Sequence, residues 1–134
     1  MGLDASAIKI ANRKNKEIKF WDEREHDDLY PDNPEMSYTY IQEWRKHPHL
    51  QGYMESLYQR KGGDKEFNTT YLILTKEDII DLQNTIKNRE FANASGLFWG
   101  GDADDYYFEQ DLQFCADALK AIEEGYEVAY WCWW

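Results

Sequence analysis

The stretch that most constrains the fold is the last ten residues, GYEVAYWCWW, which contain five aromatic rings in nine positions after the glycine. In an extended strand, successive side chains point to opposite faces of a sheet. One face of this segment would carry Tyr126, Val128, Tyr130, Cys132 and Trp134, and the other Glu127, Ala129, Trp131 and Trp133. Because large rings fall on both faces, we predict a strand inside the sheet, or one whose tip is covered by a second layer.

The rest of the chain alternates between strand-like and helix-like segments. Strands are predicted at about 3–11, within EIKFW, within MSYTYI and, most clearly, within FNTTYLIL, with NRKNK as a turn or hairpin loop after the first. Helices are predicted after EWRKHP, over KEDIIDLQNTIKN, and from about Asp105 to Glu124. The whole chain, 1–134, is therefore expected to form a single two-layer α+β domain. Its sheet would have roughly four antiparallel or mixed strands, covered on one face by about three helices.

Capping residues mark the ends of the predicted helices. Pro48 is tolerated in a first helical turn, and Thr75 with Asp78 forms a variant of the capping box. Glycines, among them Gly125, follow the first and third helices. The predicted core stripe of the third helix consists of Phe108, Leu112, Cys115, Leu119 and Ile122. Cys115 is thus interpreted as a small buried hydrophobic residue and not as a nucleophile.

Composition argues against several classes of protein. The chain has no apolar run long enough to cross a bilayer, and its first residues lack the layout of a signal peptide. Two distant cysteines do not make a disulfide framework, and no Cys/His spacing suggests zinc. Phosphate-loop, dinucleotide and nucleophile-elbow motifs are absent, which disfavours an enzyme. We expect a cytoplasmic protein without a metal or cofactor.

The charge is strongly acidic and unevenly spread. The formal net charge is −11, and the segment WDEREHDDLYPDNPE carries seven carboxylates and one arginine. Its prolines predict an acidic loop at 22–35. From Gly101 onward there are nine carboxylates and a single lysine, Lys120. Such a chain would be repelled by nucleic acid and attracted to basic surfaces, although solubility alone is a simpler explanation.

Several short motifs recur together in a known order: MGLD at the start, EWRK before a helix, SGLFWG before YYF and DL, and an aromatic final strand. In this combination the chain resembles a family of small uncharacterised proteins of bacteriophages and scattered bacterial genomes. The resemblance implies a phage or mobile-element context, hence the host-cell cytoplasm, and no mechanism. Two positions depart from the family pattern: Glu43 stands where an aromatic residue is usual, and Gln51 where a histidine often follows.

The first functional hypothesis is a non-catalytic accessory protein that binds and inhibits a basic host protein, either a nucleic-acid-handling or a defence factor. Its carboxylates would imitate the phosphates of a duplex, while exposed rings anchor the contact. The predicted partner-binding residues are Trp21, Asp22, Glu23, Glu25, Asp27, Asp28, Tyr30, Asp102, Asp104, Asp105, Glu109 and Asp111. For the aspartates from 102 to 105, capping of the third helix is the simpler role.

The second hypothesis is a site that sequesters, or less readily hydrolyses, a nucleotide or another phosphorylated small molecule. Its predicted residues are Trp44, Arg45, Lys46, His47, His49, Gly96 and Trp99. Arginine and lysine would hold the anion, a tryptophan would stack on a base, and a histidine would move a proton. The structural alternative is that Trp44 packs in the core while Arg45 and Lys46 point to water.

Overall fold

The computed structural model describes residues 2–11, 17–22, 37–90 and 102–134, which contain five strands and three helices. In chain order these are β1 (Asp4–Ala11), β2 (Phe20–Asp22), β3 (Ser37–Arg45), α1 (Pro48–Arg60), β4 (Thr70–Leu74), α2 (Lys76–Lys87), α3 (Asp102–Glu123) and β5 (Glu127–Trp133). The strands form one antiparallel sheet in the order β2-β4-β5-β1-β3. The predicted α+β class is confirmed, with five strands instead of about four.

The last strand lies in the centre of the sheet, as its rings on both faces predicted. β5 pairs with β1 on one side and with β4 on the other. Val128, Tyr130 and Cys132 face the helices and are fully buried. Beyond the strand, the side-chain amide of Asn68 exchanges two hydrogen bonds with the backbone of Trp134, at 2.8 and 3.0 Å. These bonds hold Trp134, which follows β5, next to Asn68 in the segment that leads into β4.

All three helices contribute to a core on one face of the sheet. The capping box of Thr75 and Asp78 is present, and Ile79, Leu82 and Ile86 are buried as α2 was expected to bury them. Gly125 follows α3 with a φ of +95°, in the left-handed region that favours glycine. Of the described helices, none is long and apolar enough to span a bilayer.

The buried stripe of α3 differs from the predicted one. Cys115 is buried as expected, but the other buried residues are Tyr107, Asp111, Phe114, Ala118 and Ala121. The other four predicted stripe residues, Phe108, Leu112, Leu119 and Ile122, are only partly buried. The reason is that α3 packs on both the sheet and α2, so its apolar sector is wide and the small alanines take the deepest positions.

Two predictions about the strands were wrong in detail. β2 does not form a hairpin with β1: it pairs with β4, with Phe20 opposite Leu72, at the other end of the sheet. Both sides of β1 are already occupied, by β3 and β5. β3 is also longer than MSYTYI and continues through Arg45, with a bulge at Ile41 where the register against β1 shifts.

A second, smaller apolar cluster lies on the sheet face opposite the helices. It consists of Ile8, Ile10, Trp21, Tyr71, Ile73 and Ala129. The Trp21 ring stacks on Tyr71 with 5.4 Å between centroids and is 3% exposed. The expectation of an exposed Trp21 that anchors a partner is therefore wrong, because stacking within the sheet removes this ring from the surface.

Candidate functional site

The WRK motif spans the end of β3 and the turn into α1. Since side chains alternate along a strand, Trp44 points into the helix-covered core and is 2% exposed, while the Arg45 side chain is 83% exposed. Lys46 is exposed and has a φ of +55°, and its backbone N–H donates to the Leu3 carbonyl at 2.7 Å. This turn directs the chain from the sheet into Pro48 at the start of α1. The interpretation of Trp44 as a core residue is confirmed.

A buried polar network links β3, α1 and α3. Asp111 accepts a hydrogen bond from Trp44 Nε1 at 2.9 Å, and its other oxygen lies 2.7 Å from His47 Nε2. The His47 ring stacks on Tyr107 with 4.2 Å between centroids, and the Tyr107 hydroxyl donates to the Arg45 carbonyl. His47 and Asp111 are only 2% and 1% exposed. The network fixes the packing of three elements and faces inward.

This burial corrects several predicted roles. Asp111 cannot meet a partner at the surface, because its carboxylate is committed to Trp44 and His47. Trp44 cannot stack on a ligand, and neither His47 nor His49, which is 6% exposed, reaches solvent as an accessible base. The signal in the sequence was present: Asp111 occupies the same helical face as the buried residues of α3, where a carboxylate requires hydrogen-bonding partners.

Gln51, the position where the resembled family often has a histidine, belongs to a second internal contact. It accepts a hydrogen bond from the Tyr130 hydroxyl at 2.6 Å and donates one to Cys132 Sγ at 3.3 Å. Burial raises the pKa of the Cys132 thiol to about 12 and has the same effect on Cys115. Both thiols are therefore protonated, and poor nucleophiles, near neutral pH.

Several of the predicted partner-binding residues lie at the surface or outside the described residues. Asp22 is half-buried at the end of β2, and Glu109 is exposed on α3. The aspartates 102, 104 and 105 fall in the first turns of α3. Outside the described residues lie Glu23, Glu25, Asp27, Asp28, Tyr30, Gly96 and Trp99.

Asp22 takes part in a shallow groove of about 100 Å³, here called the edge groove, between β2 and the connection from α1 to β4. Its charged lining residues are Asp22, Asp64, Lys65 and Glu66. Phe20 and Tyr58, which also line the groove, pack edge to face with 4.8 Å between centroids. The edge groove thus combines three carboxylates and one lysine with the half-buried ring of Phe20, whereas Tyr58 is only 3% exposed and belongs to the core.

A larger groove of about 350 Å³, here called the β1 groove, lies on the sheet face away from the helices. It is lined by Asp4, Ser6, Tyr40, Glu43, Arg45 and Trp131, among others. The strand registers place Ser6 between Glu43 and Trp131, and Asp4 between Arg45 and Trp133. Of its lining residues only Trp44 and Arg45 were predicted as binding residues, because the others come from distant segments.

Comparisons with known proteins add no family assignment: no protein-family model, no curated protein and no solved structure matches the chain. The resemblance to small phage proteins therefore stays a prediction. Among the described residues, no group of three or more histidine, cysteine or acidic side chains has the geometry to hold a metal ion. Any functional assignment must rest on the chemistry of the surface.

Proposed function

We propose that the protein is a non-catalytic, acidic accessory protein of phage type that binds and inhibits a basic host protein, one that handles nucleic acid or acts in defence. The observation that carries the proposal is the edge groove, where Asp22, Asp64 and Glu66 line the same opening as the half-buried ring of Phe20. Carboxylates steer a basic partner toward the surface, and aromatic rings are the residues in which interface affinity concentrates.

The electrostatics of the chain support the same partner. The net charge of −11 gives a field that attracts cationic surfaces and repels nucleic acid. In the edge groove the charged residues sum to −2, from three carboxylates and Lys65. Carboxylates spaced along a strand end can occupy the positions that backbone phosphates take against lysines and arginines. A partner that binds nucleic acid would then be competed away from it.

A second candidate function is sequestration of a nucleotide or another phosphorylated small molecule. The observation that favours it is the exposure of Arg45 and Lys46 beside the β1 groove. Three of its other predicted residues, Trp44, His47 and His49, are buried, so the Trp44 ring and both histidines are removed from solvent, while Gly96 and Trp99 lie outside the described residues. We therefore rank it second. A nucleotide that raises the melting temperature of the protein would support it.

The experiment compares two charge-reversal variants in capture of host proteins from bacterial lysate, with mass spectrometry as the readout. The edge-groove variant carries Asp22→Lys, Asp64→Lys and Glu66→Lys; the control variant carries Glu90→Lys, Glu123→Lys and Glu124→Lys, all exposed positions. Both change the net charge equally, so only the location differs. Folding of each is checked by circular dichroism.

We expect the unchanged protein to capture a basic protein at low salt and to lose it at high salt, since exposed charges are screened within about 8–10 Å at physiological ionic strength. The edge-groove variant should lose the partner, and the control variant should retain most of it. Equal capture by both variants would show that the edge groove does not direct binding. Capture that is insensitive to salt would contradict the electrostatic proposal.

A further inference from the structure

The β1 groove is framed by residues of three adjacent strands. Ser6 of β1 lies directly opposite Glu43 of β3 on one side and Trp131 of β5 on the other. Adjacent strands are about 4.8 Å apart, so the Glu43 and Trp131 backbones are separated by about 10 Å across β1. Ser6 is the smallest of the three side chains and is 6% exposed, so it forms the floor of the groove and the larger side chains beside it form the walls.

Aromatic and charged side chains close the groove at both ends. Tyr40 of β3 lies opposite Ile8, the residue two positions after Ser6 in β1, and is 58% exposed. At the other end Arg45 Nε donates to Asp4 Oδ1 at 3.2 Å. Trp133, opposite Asp4, continues the aromatic surface beyond Trp131 and is 55% exposed. The groove therefore has two rings among its walls and a fixed ion pair at one end.

The charges of the groove select the sign of the inserted group. Its charged lining residues are Asp4, Glu43 and Arg45, which sum to −1. Arg45 is paired with Asp4, whereas within the described part of the chain no ion pair involves Glu43. The Glu43 carboxylate is thus the charge available to an incoming group. A cation paired with Glu43 would enter a groove that Trp131 and Tyr40 also line, and aromatic faces attract cations within roughly 6 Å.

We infer that the β1 groove is the docking site for a cationic side chain, an arginine or lysine, of the basic partner. The inference rests on the proposed function, because it assigns a second contact to the same partner. Glu43 forms the ion pair with the inserted side chain, Trp131 and Tyr40 provide aromatic walls, and Ser6 forms the floor of the groove. The Asp4–Arg45 pair holds the end of the groove in place.

The test uses short synthetic peptides as probes: hexa-arginine, hexa-lysine and, as a control, hexa-glutamate, with ATP as an anionic probe. Binding is followed at low salt through the indole N–H resonance of Trp131, which is assigned by its loss in Trp131→Phe. We expect the basic peptides to shift this resonance and the anionic probes to leave it in place. The shift locates the contact at the groove and not merely on an acidic molecule.

Matched variants then separate the groove from the overall charge. Glu43→Gln removes one exposed carboxylate from the groove, and Glu90→Gln removes one from a distant exposed position. Glu43→Gln should weaken binding of hexa-arginine about fivefold, and Tyr40→Ala by a similar factor. Glu90→Gln should change it less than twofold, since it alters only the diffuse field.

The outcomes distinguish this inference from the proposed function. If basic peptides bind but Glu43→Gln and Tyr40→Ala behave like Glu90→Gln, the groove inference is wrong while an acidic binding surface remains. If no basic peptide binds even at low salt, both are wrong. If ATP shifts the Trp131 resonance and the basic peptides do not, the groove accepts an anionic ligand, which overturns the inference and favours sequestration.

Discussion

Replacing Asp111 with alanine tests whether the buried network holds the fold together. The change removes the carboxylate that accepts a hydrogen bond from Trp44 Nε1 and lies 2.7 Å from His47 Nε2. Trp44 and His47, which would both lose this carboxylate, are each 2% exposed. A buried polar group that loses its partner costs about 1–3 kcal/mol, and here two such groups, Trp44 Nε1 and His47 Nε2, lose the same partner.

We therefore expect Asp111→Ala to lower the free energy of unfolding by about 2–5 kcal/mol, a large part of the roughly 5–15 kcal/mol of a typical domain. For a chain of this length the melting temperature should fall by about 10–20 °C. The measurement is urea unfolding followed by far-ultraviolet circular dichroism, with thermal unfolding as a second readout. Asp111→Asn keeps one acceptor oxygen and should lose less, about 1–3 kcal/mol.

The control is Glu109→Ala, which removes an exposed carboxylate two residues earlier on the same helix. It should change stability by no more than about 0.5 kcal/mol. A double-mutant cycle between Trp44→Phe and Asp111→Asn should give a coupling energy of about 0.5–3 kcal/mol, because the two side chains share a hydrogen bond. If Asp111→Ala costs no more than Glu109→Ala, the reasoning about the network is refuted.

Two further predictions concern backbone conformation and buried thiols. Gly125→Ala should lower the free energy of unfolding by about 1–2 kcal/mol, because the φ of Gly125 is +95°. Gly2→Ala is the control and should be neutral, because Gly2 lies in open space without a positive φ. The two variants are compared by their urea unfolding midpoints, and equal midpoints would contradict the argument. Cys115 and Cys132 should resist a thiol reagent at pH 8 until urea is added, and rapid labelling of the native protein would show them to be accessible. Burial raises the pKa of both thiols from 9.0 to about 12. Between these pH values the folded state therefore binds more protons than the unfolded state, so the free energy of unfolding should decline as the pH rises through that window.

The features that were predicted correctly depend on residues that lie close together in the sequence. The capping box at Thr75 and the glycine after α3 depend on residues within a few positions of each other, so they can be recognised without knowledge of the fold. The central position of β5 followed from rings on both faces of one strand. In each case the determining pattern lies within about ten residues.

The errors came from contacts between distant segments. β2 lies beside β4 because β3 and β5 occupy the two sides of β1. The sequence of β2 alone does not show which strands pair with β1. Trp21 was expected at the surface as an aromatic anchor for a partner, yet it stacks on Tyr71, about fifty residues later. Asp111 was grouped with the acidic surface because its burial depends on Trp44 and His47, from another part of the chain.

The candidate sites show the same limit. Asp22 was predicted as a binding residue, but the carboxylates that accompany it in the edge groove, Asp64 and Glu66, were not. Of the β1 groove, Arg45 was predicted as a binding residue, but Ser6, Glu43 and Trp131 were not, since they meet only through the strand registers. Each of these residues is ordinary in its own segment, and their chemistry appears only when three strands are placed side by side.

The position of β5 in the sheet has a consequence for synthesis on the ribosome. β5 alone joins β1 and β3 to β2 and β4, yet it is the last of the five strands to be translated. About 120 residues separate the starts of β1 and β5, so at roughly 5–20 residues per second some 6–24 seconds pass between them. During that interval the sides of β1 and β4 that β5 will occupy are open to pairing with other chains. The nascent protein should therefore depend on chaperone protection until residues 127–133 emerge.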